Sequence, residues 1–129
     1  YYPHGLQSAA IRLKSSFQEN SKTHAIAEDI IESCHNGIVA WTNHSIVQPI
    51  LLKGVDDYIK TKERFLIIEQ FLKEKNIDFK IINSVEGNIL TKIISLIYLF
   101  DFSSIYHAIL SKKDPSPVLP IDYIKNHVM

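Results

Sequence analysis

The sequence predicts an α/β domain, a sheet of parallel strands with helices packed on its faces. Three observations carry this. Residues 45–52 and 77–82 are apolar and partly β-branched, and read as strands. Each is followed by a longer stretch with apolar residues at helical spacing, 56–76 and 86–111. The third is size: 129 residues, 46% of them hydrophobic, suffice for one domain with a real core.

The elements follow in order. Tyr1-Tyr2-Pro3-His4-Gly5 reads as the end of a strand and a loop. It carries no initiator Met, so the chain is expected to be part of a longer protein. Leu6, Ala9, Ala10, Leu13 and Phe17 then mark one face of a helix, with Arg12, Lys14 and Glu19 away from its centre. A second helix is expected from Thr23 to about Ile31, with Thr23 as its cap. Residues 33–36 read as a turn, and 37–41 as the start of a further helix.

In the first strand stretch, Pro49 argues against a regular central ladder. Asp56 and Asp57 are expected to cap the next helix. Ile59, Phe65, Ile68, Phe71 and Leu72 form its buried stripe, and Lys60, Lys62, Glu63, Arg64, Glu69 and Lys73 its polar face. Asn76 is its stop signal. The second strand stretch alternates. The helix after it is nearly apolar all round from Ile93 to Leu99, which predicts deep burial. Asp114-Pro115-Ser116-Pro117 breaks it, and Pro120 fits the first turn of a last helix reaching His127.

Composition narrows the function classes. Fourteen basic residues balance fourteen acidic ones, which makes no case for nucleic acid or an anionic membrane. The single cysteine, Cys34, cannot form an internal disulfide. The nearly apolar run 93–100 is short of the roughly 20 residues that span a bilayer. No signal-like segment opens the chain. The expectation is a soluble cytoplasmic protein. Only four glycines are present, and no Gly-rich phosphate loop of the P-loop or dinucleotide type. The six histidines show no compact metal-binding spacing, so neither metal nor cofactor is expected.

The candidate site residues are Glu19, His35 and Lys125. By type alone Glu19 is a solvated glutamate, but it sits unfavourably near a helix C-terminus, within Gln18-Glu19-Asn20-Ser21-Lys22. His35 is a turn histidine whose ordinary titration range suits proton transfer. Lys125 by itself is a solvated lysine near a helix end. Cys34 reads as a half-buried thiol and Trp41 as packing.

Order and spacing add a further reading. Gln18-Glu19-Asn20-Ser21-Lys22 and His35-Asn36-Gly37-Ile38-Val39-Ala40-Trp41 come first. They are followed by Ser95-Leu96-Ile97-Tyr98-Leu99 with Asp101 and Tyr106, then by Asp114-Pro115-Ser116-Pro117 and Lys125. Together these resemble the second half of the bifunctional phosphoglucose/phosphomannose isomerases of the sugar isomerase (SIS) superfamily.

The resemblance implies a parallel-sheet, three-layer αβα domain of SIS type over residues 1–129, the C-terminal half of a two-domain protein. It implies an aldose–ketose isomerase acting on glucose 6-phosphate, mannose 6-phosphate and fructose 6-phosphate. Glu19 would be the base that moves a proton between C1 and C2. His35 would help open the ring, and Lys125 would assist near the ring or C1 oxygen. The histidine would come from a neighbouring subunit, which implies a homodimer. The alternative is a non-catalytic SIS-like module for sugar-phosphate binding or dimerisation.

The chain departs from the family pattern where Ser33-Cys34 replace Leu-Asn, Gly37 replaces a glutamate and Phe100 replaces a glycine. The family's phosphate-gripping loop belongs to a first SIS domain and has no counterpart here, so the chain alone is expected to be incomplete as an enzyme.

Overall fold

A computed structural model describes residues 1–128. The described residues fold as β1 (Ile50–Lys53) and β2 (Lys80–Asn83) with five α-helices: α1 (Gln7–Asn20), α2 (Ile30–Ser33), α3 (Ile59–Glu74), α4 (Ile89–Leu110) and α5 (Leu119–His127). β1 and β2 pair in parallel, with Ile50 opposite Lys80 and Lys53 opposite Asn83.

Main-chain bonds widen this sheet. Tyr1 N donates to Ile50 O at 2.7 Å, and Leu52 N to Tyr1 O at 2.8 Å. Tyr2 N donates to Glu28 O at 3.1 Å, and Ile30 N to Tyr2 O at 2.8 Å, around a parallel bridge between Tyr2 and Asp29. The spatial order is therefore residues 28–30, residues 1–2, β1, β2. Every connection between neighbours in sequence is a helical crossover, as parallel pairing requires.

Alternating side chains divide the core in two. Tyr2 and Leu52 point to one face, where they meet Leu6, Ala9 and Ala10 beside α1 and Leu96 and Phe100 on α4. Leu51 points to the other face, with Ile30 from α2 and Phe65, Ile68 and Leu72 from α3. Helices α1 and α4 cover one side of the sheet, and α2 and α3 the other. This is the expected three-layer αβα arrangement. The small Ala9 and Ala10 leave room for Phe100, which is fully buried.

Several local expectations need correction. No helix forms over residues 23–29, because 28–30 pair with Tyr2 instead. The helix there is the single turn α2, capped by the Asp29 side chain on Ile31 N at 2.8 Å, not by Thr23. Residues 37–41 lie in a 3₁₀ stretch, Gly37–Thr42. β1 begins only after Pro49.

Asp56 and Asp57 do not cap α3. Asp57 accepts from Gly54 N at 2.7 Å, and Asp56 pairs with Lys92. Ile59 is exposed, whereas Glu69, expected on the polar face, is buried and paired with Lys53. Burial is thus made tolerable by an opposite charge.

Helix ends behave as the residues dictate. Asn88 caps α4 by accepting from Thr91 N at 2.9 Å. Asn76 and Lys112, both left-handed with φ of 55°, close α3 and α4. In each case the next amide reaches back to the helix, Ile77 N to Leu72 O and Lys113 N to Ala108 O, both at 2.9 Å.

α4 differs most from expectation. Only one stripe of it is buried: Lys92, Leu96, Phe100, Ser104 and Ala108. Leu90, Ile94, Tyr98, Tyr106 and Ile109 face outward, each 60% exposed or more. At 22 residues, α4 is long and apolar enough to cross a membrane by length and composition. Its buried stripe nevertheless packs on α1 and the sheet as a core helix does.

Candidate active site

Three of the four residues in Glu19-Asn20-Ser21-Lys22 have a structural task. Asn20 Nδ2 donates to Ser104 Oγ of α4 at 2.7 Å. Buried Ser21 returns its hydroxyl to Phe17 O at 2.7 Å. Lys22 turns left-handed with φ of 54°, ending α1, and Thr23 N folds back to Phe17 O at 3.2 Å. Lys22 Nζ donates to Glu19 O at 2.6 Å, to Pro117 O at 2.8 Å and to Pro115 O at 3.2 Å. The Glu19 side chain is exposed, and its carboxylate has no hydrogen-bond partner among the described residues. A carboxylate held on a rigid helix end and left unengaged is suited to taking a proton from a ligand.

His35 stands in the turn after α2. Its amide donates to Glu32 O at 2.9 Å, and its ring is exposed. Asn36 binds the Glu32 carboxylate, stiffening the turn. Cys34 tucks against the α3-side core, where burial pushes its thiol up from the usual range. Trp41 packs in the same cluster and donates Nε1–H to Tyr1 Oη at 2.7 Å, so it is a packing residue as expected.

Gly37 has a local reason. A Cβ at this position would lie 2.0 Å from Glu28 Oε2. The Glu28 carboxylate thus occupies the space next to His35-Asn36 that a side chain at residue 37 would take.

Lys125 lies on α5, whose residues are all exposed. The turn before α5 is stiffened by Asp114, which accepts from Ser116 N at 2.9 Å. That bond holds the Asp114 carboxyl below its ordinary range.

Glu19 and the root of the Lys125 helix are brought together, because both are bound by Lys22. Glu19 and His35 are not brought together within the chain. α1 lies on the Leu52 side of the sheet and α2 on the Leu51 side.

A groove of about 560 Å³ opens at the carboxyl ends of β1 and β2, where open α/β sheets commonly bind ligands. It is lined by Lys53, Gly54, Asp57, Lys62, Phe65 and Asn83, among others. Its loop is already self-satisfied. Gly54 N is taken by Asp57, and Val55 N by Ser84 Oγ at 3.3 Å. Lys53 is neutralised by Glu69, and burial raises the Asp57 carboxyl above its ordinary value.

The sequence reading missed two features. One is the Lys22 clamp. The other is Arg12, expected away from the helix centre but bound to Asp101 of α4, with Ser16 Oγ donating to the same carboxylate at 2.7 Å. The recurring polar residues at 12, 16 and 20 were the available signal, since they share one helical face.

Comparisons with known proteins bear on the family of the chain. The family model described as bacterial phospho-glucose isomerase C-terminal SIS domain matches residues 1–128. A bifunctional phosphoglucose/phosphomannose isomerase of Caldicellulosiruptor bescii is 32% identical over 121 residues, which is 91% of this chain and 36% of that protein. The protein of the same name from Aquifex aeolicus is 30% identical over 123 residues, covering 92% of this chain and 38% of the relative. The chain thus spans between a third and two fifths of the length of these relatives. No solved structure matches it significantly. A match over residues 1–128, on a three-layer fold, establishes that the chain belongs to the bacterial phospho-glucose isomerase C-terminal SIS domain family.

Proposed function

We propose that this chain supplies the acid–base residues of an aldose–ketose isomerase that interconverts glucose 6-phosphate and mannose 6-phosphate with fructose 6-phosphate. The observation that carries the reading is the unengaged Glu19 carboxylate on a motif whose other residues are all committed to structure. The names of the two relatives supply the substrate class.

The chemistry is a proton shuttle. With the ring open, Glu19 removes the proton from C2 of the aldose as the carbonyl oxygen at C1 is protonated, leaving an enediol. Glu19 then returns the proton to C1, and the C2 hydroxyl gives up its own to become the ketone. Glucose and mannose differ only at C2, which is planar in the enediol, so one intermediate serves both. His35 protonates the ring oxygen on opening, and Lys125 stabilises negative charge on the ring or C1 oxygen. Because α1 and α2 lie on opposite faces of the sheet, this assignment favours a site shared between two copies of the chain, with His35 given by the partner.

The phosphate grip is assigned to another part of the protein, since the loop after β1 has its amides occupied by Asp57 and Ser84. A second reading, a non-catalytic module for dimerisation, is favoured by the outward apolar face of α4. Replacing Glu19 by Gln in the full-length protein separates the two. A proton shuttle requires turnover to fall by about 10²–10⁴-fold or more, and deuterium uptake from solvent at C2 to disappear. Normal turnover would remove Glu19 from the mechanism.

A further inference from the structure

We propose that Lys22 is a positioning residue: it clamps the turn that launches α5, and with it Lys125, against the end of α1 where Glu19 stands. The catalytic consequence rests on the isomerase reading above. The structural consequence does not.

An ammonium group has three N–H donors and no acceptor. In Lys22 all three meet main-chain carbonyls, Glu19 O at 2.6 Å, Pro117 O at 2.8 Å and Pro115 O at 3.2 Å. The first belongs to the last turn of α1, where carbonyls lack an intrahelical partner and a cation is favoured. The other two lie 93 and 95 residues away in sequence. Prolines keep that segment out of helix, so its carbonyls stay free to accept. The left-handed backbone of Lys22 reverses the chain at the end of α1.

Little else fixes α5. None of its residues is buried, and Leu119, Tyr123 and Ile124 are 59–73% exposed. Among the described residues, one further side-chain bond joins the two regions, from Lys113 Nζ to Thr23 Oγ1 at 3.5 Å. The direction in which α5 leaves the domain, and hence the place of Lys125, is decided by the clamp. The side chain acts through Lys125 and touches no substrate.

The test uses Lys22→Met in the full-length protein, which keeps the apolar stem and removes the donors. Spin labels are attached at Ser8→Cys on α1 and Asn126→Cys on α5, with native cysteines replaced by serine. Excess unlabelled protein restricts the reading to pairs within one chain. The parent should give one narrow distance, and Lys22→Met should spread the distribution about twofold or more while the melting temperature stays within a few degrees. An unchanged width overturns the clamp.

Turnover is the second readout. A misplacement of about 1 Å can cost on the order of 10²-fold, so kcat of Lys22→Met should fall by up to that factor with KM little changed. Adding Lys22→Met to Lys125→Ala should cost nothing further, because both remove the same function. Additive losses would overturn a role through Lys125. Normal turnover of Lys125→Ala would instead defeat the catalytic role of that lysine, and the label distances would still decide the clamp.

Discussion

The guanidinium of Arg12 grips the carboxylate of Asp101 through two parallel contacts, Nε to Oδ1 at 2.7 Å and Nη2 to Oδ2 at 2.8 Å. The pair joins α1 to α4 on the side of the sheet that carries Glu19. The Arg12 hydrogen bond is the largest influence on Asp101, and with help from Ser16 it holds the carboxyl below its ordinary value. Both side chains are partly exposed, at 50% and 33%, so solvent screens the attraction.

Removing this pair should therefore cost little. Arg12→Ala is expected to destabilise the protein by about 0.5–1 kcal/mol, measured by urea unfolding near neutral pH. The sign with pH follows from the depressed carboxyl. Its stabilisation is complete above the unfolded value of about 3.9 and is lost as pH falls through the lower folded value. The gap between parent and Arg12→Ala should close on acidification through that window. A gap that widens instead would mean that Asp101 is not ionised by Arg12.

Phe100 is expected to matter more for stability than any residue of the candidate site. It is 1% exposed and fills the space beside Ala9, Ala10 and Leu52. Phe100→Ala should cost about 3–5 kcal/mol through lost transfer energy and a residual cavity. Equilibrium unfolding measures this directly. A cost under about 1 kcal/mol would show that α1 and α4 close over the gap.

Subunit sharing can be tested by mixing. Glu19→Gln and His35→Ala proteins should each be nearly inactive. If the sites are shared, a mixed dimer formed by subunit exchange has one site with both defects and one with neither. Activity should return in part, up to one intact site per mixed dimer. No recovery despite demonstrated exchange would place both residues in one chain's site or remove His35 from catalysis.

The proposed enediol route needs only protein acids and bases. No pair of the chain's histidines has the compact two-histidine spacing of a zinc motif. Activity of the full-length protein should survive prolonged chelation. Loss on chelation with rescue by zinc would assign the carbonyl shift to Lewis-acid chemistry and return the histidines to consideration as ligands.

The sequence by itself determined the class of the fold, most of its helices and the order of its motifs. Periodicity is a local signal, and α1, α3, α4 and α5 are long enough to display it. Asn76 and Pro120 marked helix boundaries because their backbone preferences are their own. The family likeness needed only residue types at fixed spacing.

The tertiary structure decided what depends on a distant partner. Residues 28 and 29 are extended, ahead of α2, because Tyr2 offers this segment hydrogen bonds from the start of the chain, and no local preference announces that. Glu69 is buried because Lys53 arrives from β1 to neutralise it. α4 is nearly apolar all round from Ile93 to Leu99, so only its packing on α1 shows which stripe is inside. Sequence pointed to Glu19, His35 and Lys125 as a group. The fold divides them: Lys22 binds both the end of α1 beside Glu19 and the turn before the Lys125 helix, while the sheet separates α1 from α2 and His35. Adjacent strand residues such as Leu51 and Leu52 point to opposite faces, and that alternation assigns the two helices, and the two candidate residues, to different sides of the sheet.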